Sequence, residues 1–335
     1  MNDRVPGDGV VTSASGIAPA AADGTDGAPV RLRLDIAYDG SAFLGWAKQP
    51  GLRTVQGELE AALATIFGRY GSPPTLTVAG RTDAGVHAIG QVAHLDLSPA
   101  QFASLKRLDR VRPVRKDRAP QDGAVPRKAL PKALRPDGPA ALARRLNGIA
   151  GLDSDIHVSR VSLAPPGFDA RFSAVWRRYE YRVSDAAGPR NPLERNRTLW
   201  YPAELDVALM DEAARSLVGL HDWASYCKPR DGATTIRTLQ EFGWTREADG
   251  VLIAHVKADA FCHSMVRSLV GATIAVGEGK LSPERLLWLR EELTRSSEFK
   301  VVPAKGLTLV ELGYPDDADL AVRAEQTRAR RTAVV

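Results

Sequence analysis

The sequence predicts an α+β protein, two mixed αβ units with largely antiparallel sheets. Three observations lead there. Strand-like runs of period two recur in both halves, at least one pair is joined by a hairpin signal, and the helical segments between them do not follow strict βα alternation. A doubly wound parallel sheet would demand that alternation.

The first strand is Arg31 to Tyr38, where Leu32, Leu34, Ile36 and Tyr38 alternate with Arg31, Arg33, Asp35 and Ala37. Asp39-Gly40 punctuates it as a turn. Thr54 then suits the N-cap of a helix reaching about Tyr70, with Val55, Leu59, Ala62, Leu63 and Ile66 on one face. Strands are expected at Thr75–Ala79 and Gln91–Leu97. They bracket Gly80-Arg81-Thr82-Asp83-Ala84-Gly85-Val86-His87-Ala88, whose glycines and central Asp mark a tight loop.

Residues 103–138 hold abundant Pro, Gly, Arg, Lys and Asp with no sustained period, and read as a long basic excursion. A short helix at about Ala140 to Leu146 and a strand at Ile156–Leu163 follow. Pro165-Pro166-Gly167 marks a domain boundary. Beyond it come a strand at Arg177–Ser184, a helix from about Leu205 to Val218, and strands at Thr238–Arg246 and Val251–Ala258 across the Asp249-Gly250 turn. Phe261 to Val276 and Pro283 to Leu293 read as helices, and Leu307–Leu312 as the last strand. The expected organisation is a disordered tail over 1–29, domains over 30–165 and 166–315, and a loose, Arg-rich tail over 316–335.

With 44% hydrophobic and 25% charged residues, the 335-residue chain resembles an ordinary soluble globular protein with ample core. It has no apolar run near the roughly 20 residues of a membrane-spanning helix, and its N-terminus lacks the pattern of a secretory signal. Two cysteines, Cys227 and Cys262, are too few for a disulfide framework, so a cytoplasmic location is expected. The net charge of +5 is misleading. Residues 103–138 carry eleven Lys or Arg against four Asp, a local +7, so the rest of the chain is near −2. Any contact with nucleic acid must therefore rest on where individual arginines sit.

Asp83 is the prominent chemical candidate, because a carboxylate in a Gly-bounded loop between strands is presented rather than packed. On the bare residues, though, the loop reads more readily as a plain turn whose Asp accepts backbone N–H bonds, since most Asp-Gly-rich loops are only turns. The histidines and cysteines lack the spacing of a closed zinc site, Cys262-His263 reads as packing at a helix start, and His221-Asp222 has no second pair beside it.

Five segments settle between those readings. Gly80-Arg-Thr-Asp-Ala-Gly-Val-His-Ala88 resembles the signature loop of the TruA family, the tRNA pseudouridine synthase A enzymes. Tyr38-Asp-Gly-Ser-Ala-Phe-Leu-Gly-Trp46 with Val55-Gln56 resembles that family's opening strand and helix start. Phe168-Asp-Ala-Arg-Phe-Ser-Ala174 with Arg178-Tyr-Glu-Tyr181 resembles its second active-site segment, and Phe261-Cys-His-Ser-Met-Val-Arg267 through Gly271 a third. Gly306-Leu307 and the closing strand complete the likeness, which spans about Leu32 to Pro315 and is interrupted chiefly by 103–138.

The resemblance implies the pseudouridine synthase fold, with a central curved sheet and a cleft, in a homodimer. It implies conversion of uridine to pseudouridine in the anticodon stem-loop, at nucleotides 38, 39 and 40 of tRNA. That reaction is redox-neutral and not a hydrolysis, so no cofactor and no metal are expected. Asp83 would be the catalytic carboxylate, either attacking C1′ of the ribose or removing the C2′ proton. It would have to stay ionised in a largely enclosed pocket, which an arginine partner, Arg267, would favour. Tyr179 would stack on the uracil, Arg81 would help turn the base out of the RNA stack, and Leu307 would close the pocket's apolar side. Phe168, Asp169, Ala170, Arg171, Phe172 and Arg237 match RNA-contacting positions. The alternative is an RNA-binding protein that kept the fold and lost the chemistry. The joint presence of Asp83, Tyr179 and Arg267 opposes it.

Overall fold

The computed structural model describes residues 27–107, 138–230 and 232–329. The N-terminal tail as far as residue 26, most of the basic excursion (108–137) and the last six residues lie outside that range.

Strand β1 (Val30–Tyr38) shows why the alternating run folds as it does. Leu32, Leu34, Ile36 and Tyr38 are buried, while the intervening residues are only partly covered. It pairs antiparallel with β3 (His87–Leu97) on one side and with β4 (Ile156–Leu163) on the other. Helix α1 (Val55–Phe67) starts where Thr54 accepts a hydrogen bond from Gly57 N. It buries the five apolar residues expected of its inner face.

The second half is built around β5 (Trp176–Ser184), β8 (Ile236–Arg246) and β9 (Leu252–Ala258). β8 and β9 form the expected hairpin; Gly250, at φ 87°, takes the left-handed position that its turn requires. The final strand β10 (Leu307–Gly313) joins the halves. It runs parallel to β3, with Thr308 opposite His87, and antiparallel to β5, with Leu307 opposite Tyr181. The result is one 10-stranded sheet. Its main order is β4-β1-β3-β10-β5-β9-β8-β7, with β2 (Thr77–Val78) on β3, β6 (Leu199–Trp200) on β5, and β7 (Gly219–Asp222) at the far edge. Most of the pairings are antiparallel, in keeping with an α+β fold; β10 with β3 and β6 with β5 are parallel. Pro165 to Phe168 is a turn, closed by Phe168 N donating to Pro165 O at 3.1 Å, but the sheet continues across it.

Helices α2 (Pro99–Arg107) and α3 (Gly138–Ala150) pack against each other, and α3 covers β4 while touching α1. On the other half α4 (Val207–Ser216), α5 (Met265–Gly277) and α6 (Pro283–Glu291) pack together, with α4 also against β8. Two expectations need correction. The patternless reading of 103–138 missed α2, whose start is a reciprocal cap: Ser98 N donates to Gln101 Oε1 and Gln101 N to Ser98 Oγ. The tail after residue 315 is not loose throughout. It forms α7 (Leu320–Arg328), which buries Leu320 and Ala324 and sends Arg328 to Asp169 at 3.0 Å.

Candidate active site

The loop holding Asp83 is fixed by the segment that follows β1. Trp46 N donates to Thr82 O, Gly85 N donates to Phe43 O, and the Tyr38 hydroxyl lies 2.8 Å from Thr82 Oγ1. Gln91 Nε2 donates both to Tyr38 Oη and to Gly80 O. Gly40 approaches Val86 so closely that a Cβ would fall 2.0 Å from the Val86 carbonyl oxygen. Burial pushes the Tyr38 phenol up to about 12, despite the opposing bonds from Thr82 and Gln91, so it stays a neutral brace. His87, at the loop's far end, is a buried clamp. Gly40 N donates to its Nδ1, and its Nε2 reaches the carbonyl oxygens of Asn196 and Lys305.

Held this way, Asp83 faces the far half of the chain. Arg267 Nη2 donates to Asp83 Oδ2 at 3.4 Å, while His263 Nε2 lies 3.8 Å from Oδ1. Every residue of α5 except Arg267 is buried, so the guanidinium emerges from an otherwise dry helix. Tyr179, on β5, packs its ring edge-to-face on Phe261 with centroids 5.2 Å apart. Burial raises its phenol well above the ordinary tyrosine value, with Tyr38 and Asp83 adding to the effect. A neutral phenol of this kind offers a stacking face and a hydrogen bond rather than an anionic base. Tyr181 on the same strand is core, and its hydroxyl donates to Pro303 O. Leu307 opens β10 opposite Tyr181 and is buried.

One partly buried arginine ties the segments to each other. Arg177 donates to Asp259 O at 2.6 Å, to Ala79 O at 3.1 Å and to Arg171 O at 3.2 Å. Ala79 precedes the Asp83 loop, Arg171 lies in the second segment, and Asp259 precedes the third.

The structure thus brings Asp83 to Arg267, and it leaves Arg81 exposed with no ion pair among the described residues. Several expectations change. The Asp83 side chain is 39% exposed, so the protein alone leaves an open site where an enclosed pocket was expected. Phe168 and Ala170, matched to RNA contact, have side chains sealed in the core; Phe168 packs on Tyr314 and His94. Asp169 is buried too, accepting from Arg171 N and Phe172 N and pairing with Arg328. In that segment only Arg171 is exposed and Phe172 half-buried. Arg237 is the second residue of β8, two strands from β5, with its carbonyl accepting from Trp223 Nε1. Cys227 and Cys262, too few to suggest a disulfide framework, are paired as a disulfide with Cα atoms 5.9 Å apart. Sequence reasoning missed His263, read as packing, although it stands four residues before Arg267. Among the described residues no group of three or more His, Cys, Asp or Glu is arranged to hold a metal ion.

Known proteins are similar to this chain over most of its length. A family model described as tRNA pseudouridine synthase matches residues 213–315. A "tRNA pseudouridine synthase A" from Leifsonia xyli is 61% identical over 302 residues, covering 90% of this chain and 98% of that protein. Proteins of the same name from Frankia casuarinae and Mycobacterium leprae are 49% and 46% identical, covering 92% and 90% of this chain and 97% and 96% of theirs. Likeness of this degree over nine-tenths of the sequence shows the family: the chain belongs to the tRNA pseudouridine synthase A family.

Proposed function

We propose that this isomerase converts uridine to pseudouridine in the anticodon stem-loop of tRNA, at nucleotides 38, 39 and 40, with Asp83 as the catalytic carboxylate. The observation that carries the reading is the placement of Asp83, fixed by its loop, partnered by Arg267 and 39% exposed. In the reaction the N1–C1′ bond breaks, the uracil turns, and C5 joins C1′. The C5 proton is lost and N1 gains one, so the product is an isomer and no redox step intervenes. Asp83 acts at the ribose, by attack on C1′ or by removing the C2′ proton, and both routes need it ionised. The Arg267 guanidinium stands beside it, with Nη2 3.4 Å from Oδ2.

The openness of the site suits a macromolecular substrate whose own surface completes the enclosure. A uridine stacked in a stem cannot reach Asp83, so it must be flipped out, and Arg81, exposed two residues before Asp83, is the cation to take its place. Tyr179 stacks on the turned-out uracil, and Leu307 lines the apolar wall. Arg171, Phe172 and Arg237 contact the RNA around it. The working unit is a homodimer in the cytoplasm, and the chemistry asks for no metal or cofactor.

The test is pseudouridine mapping on transcribed tRNA with wild type and Asp83→Asn. Wild type should modify uridines at 38 to 40, and Asp83→Asn should make none while still binding tRNA. Substantial turnover by Asp83→Asn would remove the carboxylate from the mechanism. Modification elsewhere, or none by wild type, would sink the substrate assignment.

A further inference from the structure

Ser264 takes an unusual conformation for its place. It caps the N-terminus of α5 with φ 65° and ψ 5°, left-handed backbone, where a serine cap ordinarily has extended backbone. Its side chain makes no capping bond to the helix. Instead its Oγ accepts from Arg267 Nη2 at 3.0 Å. Among the described residues only Ser264 and Leu293 combine a side chain with positive φ. The position therefore gives up both the relaxed backbone and the capping bond usual for serine. Strain kept in this way points to a role outside folding.

The surrounding turn is tied on both sides of Ser264. Cys262 is joined to Cys227, Lys228 N donates to His263 O, Met265 N to Cys262 O, and Ser268 N to Ser264 O. The Arg267 guanidinium then has two fixed acceptors: Ser264 Oγ, and Val302 O, which receives Nη1 at 3.3 Å. With those two in place, Nη2 lies against Asp83 Oδ2. Arg267 Nε is buried without a partner, so no bond from that nitrogen would hold the fork if Ser264 were absent.

We infer that Ser264 is a positioning residue: its left-handed turn and hydroxyl aim the Arg267 guanidinium at one oxygen of Asp83, leaving the carboxylate's other oxygen facing away from the arginine. The inference rests on the proposed role of Asp83. It assigns to Ser264 no contact with the uridine. The same turn carries His263 toward Oδ1, so one backbone feature sets the groups on both sides of the carboxylate.

Three substitutions separate the acceptor from the backbone. Ser264→Ala removes the oxygen and keeps the Cβ. Ser264→Gly removes the oxygen and relieves the left-handed strain. Ser264→Asn restores an acceptor in a residue that tolerates this conformation. Single-turnover pseudouridine formation, tRNA affinity and Tm are measured for each, with Asp83→Asn and Arg267→Lys in parallel. Ser264→Ala and Ser264→Gly should slow the single-turnover rate roughly tenfold or more, with tRNA affinity within about twofold of wild type. Ser264→Asn should recover most of the rate. In an Arg267→Lys background, Ser264→Ala should cost little further, because the residue acts through Arg267. Ser264→Gly as fast as wild type, Ser264→Asn as slow as Ser264→Ala, or a full additive loss in the double variant would each overturn the inference. If Ser264→Ala fails to fold, the glycine and asparagine variants decide it. Full activity in Asp83→Asn would instead indict the proposed function.

Discussion

Arg267 meets Asp83, 184 residues away in sequence, through one nitrogen only: Nη2 to Oδ2 at 3.4 Å, with Nη1 committed to Val302 O. The pair is an aimed single contact rather than a two-pronged one. Replacing Arg267 with Lys keeps the charge but cannot serve Ser264, Val302 and Asp83 at once, because lysine lacks the planar fork. Single-turnover rates should fall roughly tenfold or more, with tRNA affinity little changed. Weaker binding with an untouched rate would make Arg267 a phosphate contact.

The three carbonyls gathered by Arg177 predict a coupled loss. Arg177→Met removes charge-assisted bonds to Asp259, Ala79 and Arg171, and stability should fall by about 2 kcal/mol, read from chemical denaturation. Turnover should fall as well, since the Asp83 loop and the third segment lose their common tie. Normal turnover in a destabilised Arg177→Met protein would show that the tie is structural only.

Asp185, with a side chain fully buried at the end of β5, predicts the acid limb of stability. Burial pushes its pKa up, but the fork of Arg246 and the Leu205 N–H outweigh burial and leave it below the ordinary value. A carboxyl depressed by folding contributes stability above the ordinary carboxylate pKa, and that contribution is lost as pH falls through the folded value. Asp185→Asn should cost about 3 kcal/mol near neutrality, where it strands Arg246. The gap from wild type should narrow below about pH 4. A gap that stays constant from pH 7 to pH 3 would refute the assignment.

Residues 108–137 carry nine Lys or Arg against four Asp, a net of +5 equal to that of the whole chain. They leave from α2 and return at α3, two helices already packed together, so a short Gly-Ser bridge can replace them. The shortened protein should fold and modify the same uridines. Its tRNA affinity should drop at low salt, and log affinity should vary less steeply with log salt. An unchanged slope would mean the segment does not touch RNA; a shifted modification site would mean it helps seat the stem-loop.

Much of this architecture was legible. β4 spans the residues its pattern marks, while β1 and α1 follow from clean periods and a threonine cap. β6 and β7, of two and four residues, were not legible, because strands that short exist only through their partners β5 and β8. Helix α5 begins at Met265 rather than Phe261, since the disulfide and the left-handed Ser264 hold the preceding turn out of the helix. At the site, resemblance supplied the meeting of Arg267 with Asp83, which no spacing could give. It could not show that Phe168 and Ala170 point inward. Burial depends on what Tyr314 and His94 do from elsewhere in the chain.

The position of β10 has a consequence for how the protein is made. It lies between β3 and β5, yet among the described residues it is the last strand in chain order, so it leaves the ribosome after the nine others. Until residue 313 emerges, the halves have no strand to join them. β3 is shielded on that side only by the two residues of β2, and β5 only by those of β6. The nascent chain therefore carries two sheet edges open to wrong partners, and a product truncated before Leu307 keeps them permanently. Closure of the sheet and delivery of Leu307 to its place opposite Tyr181 are one event, so a chain cut before β10 leaves β3 and β5 unjoined.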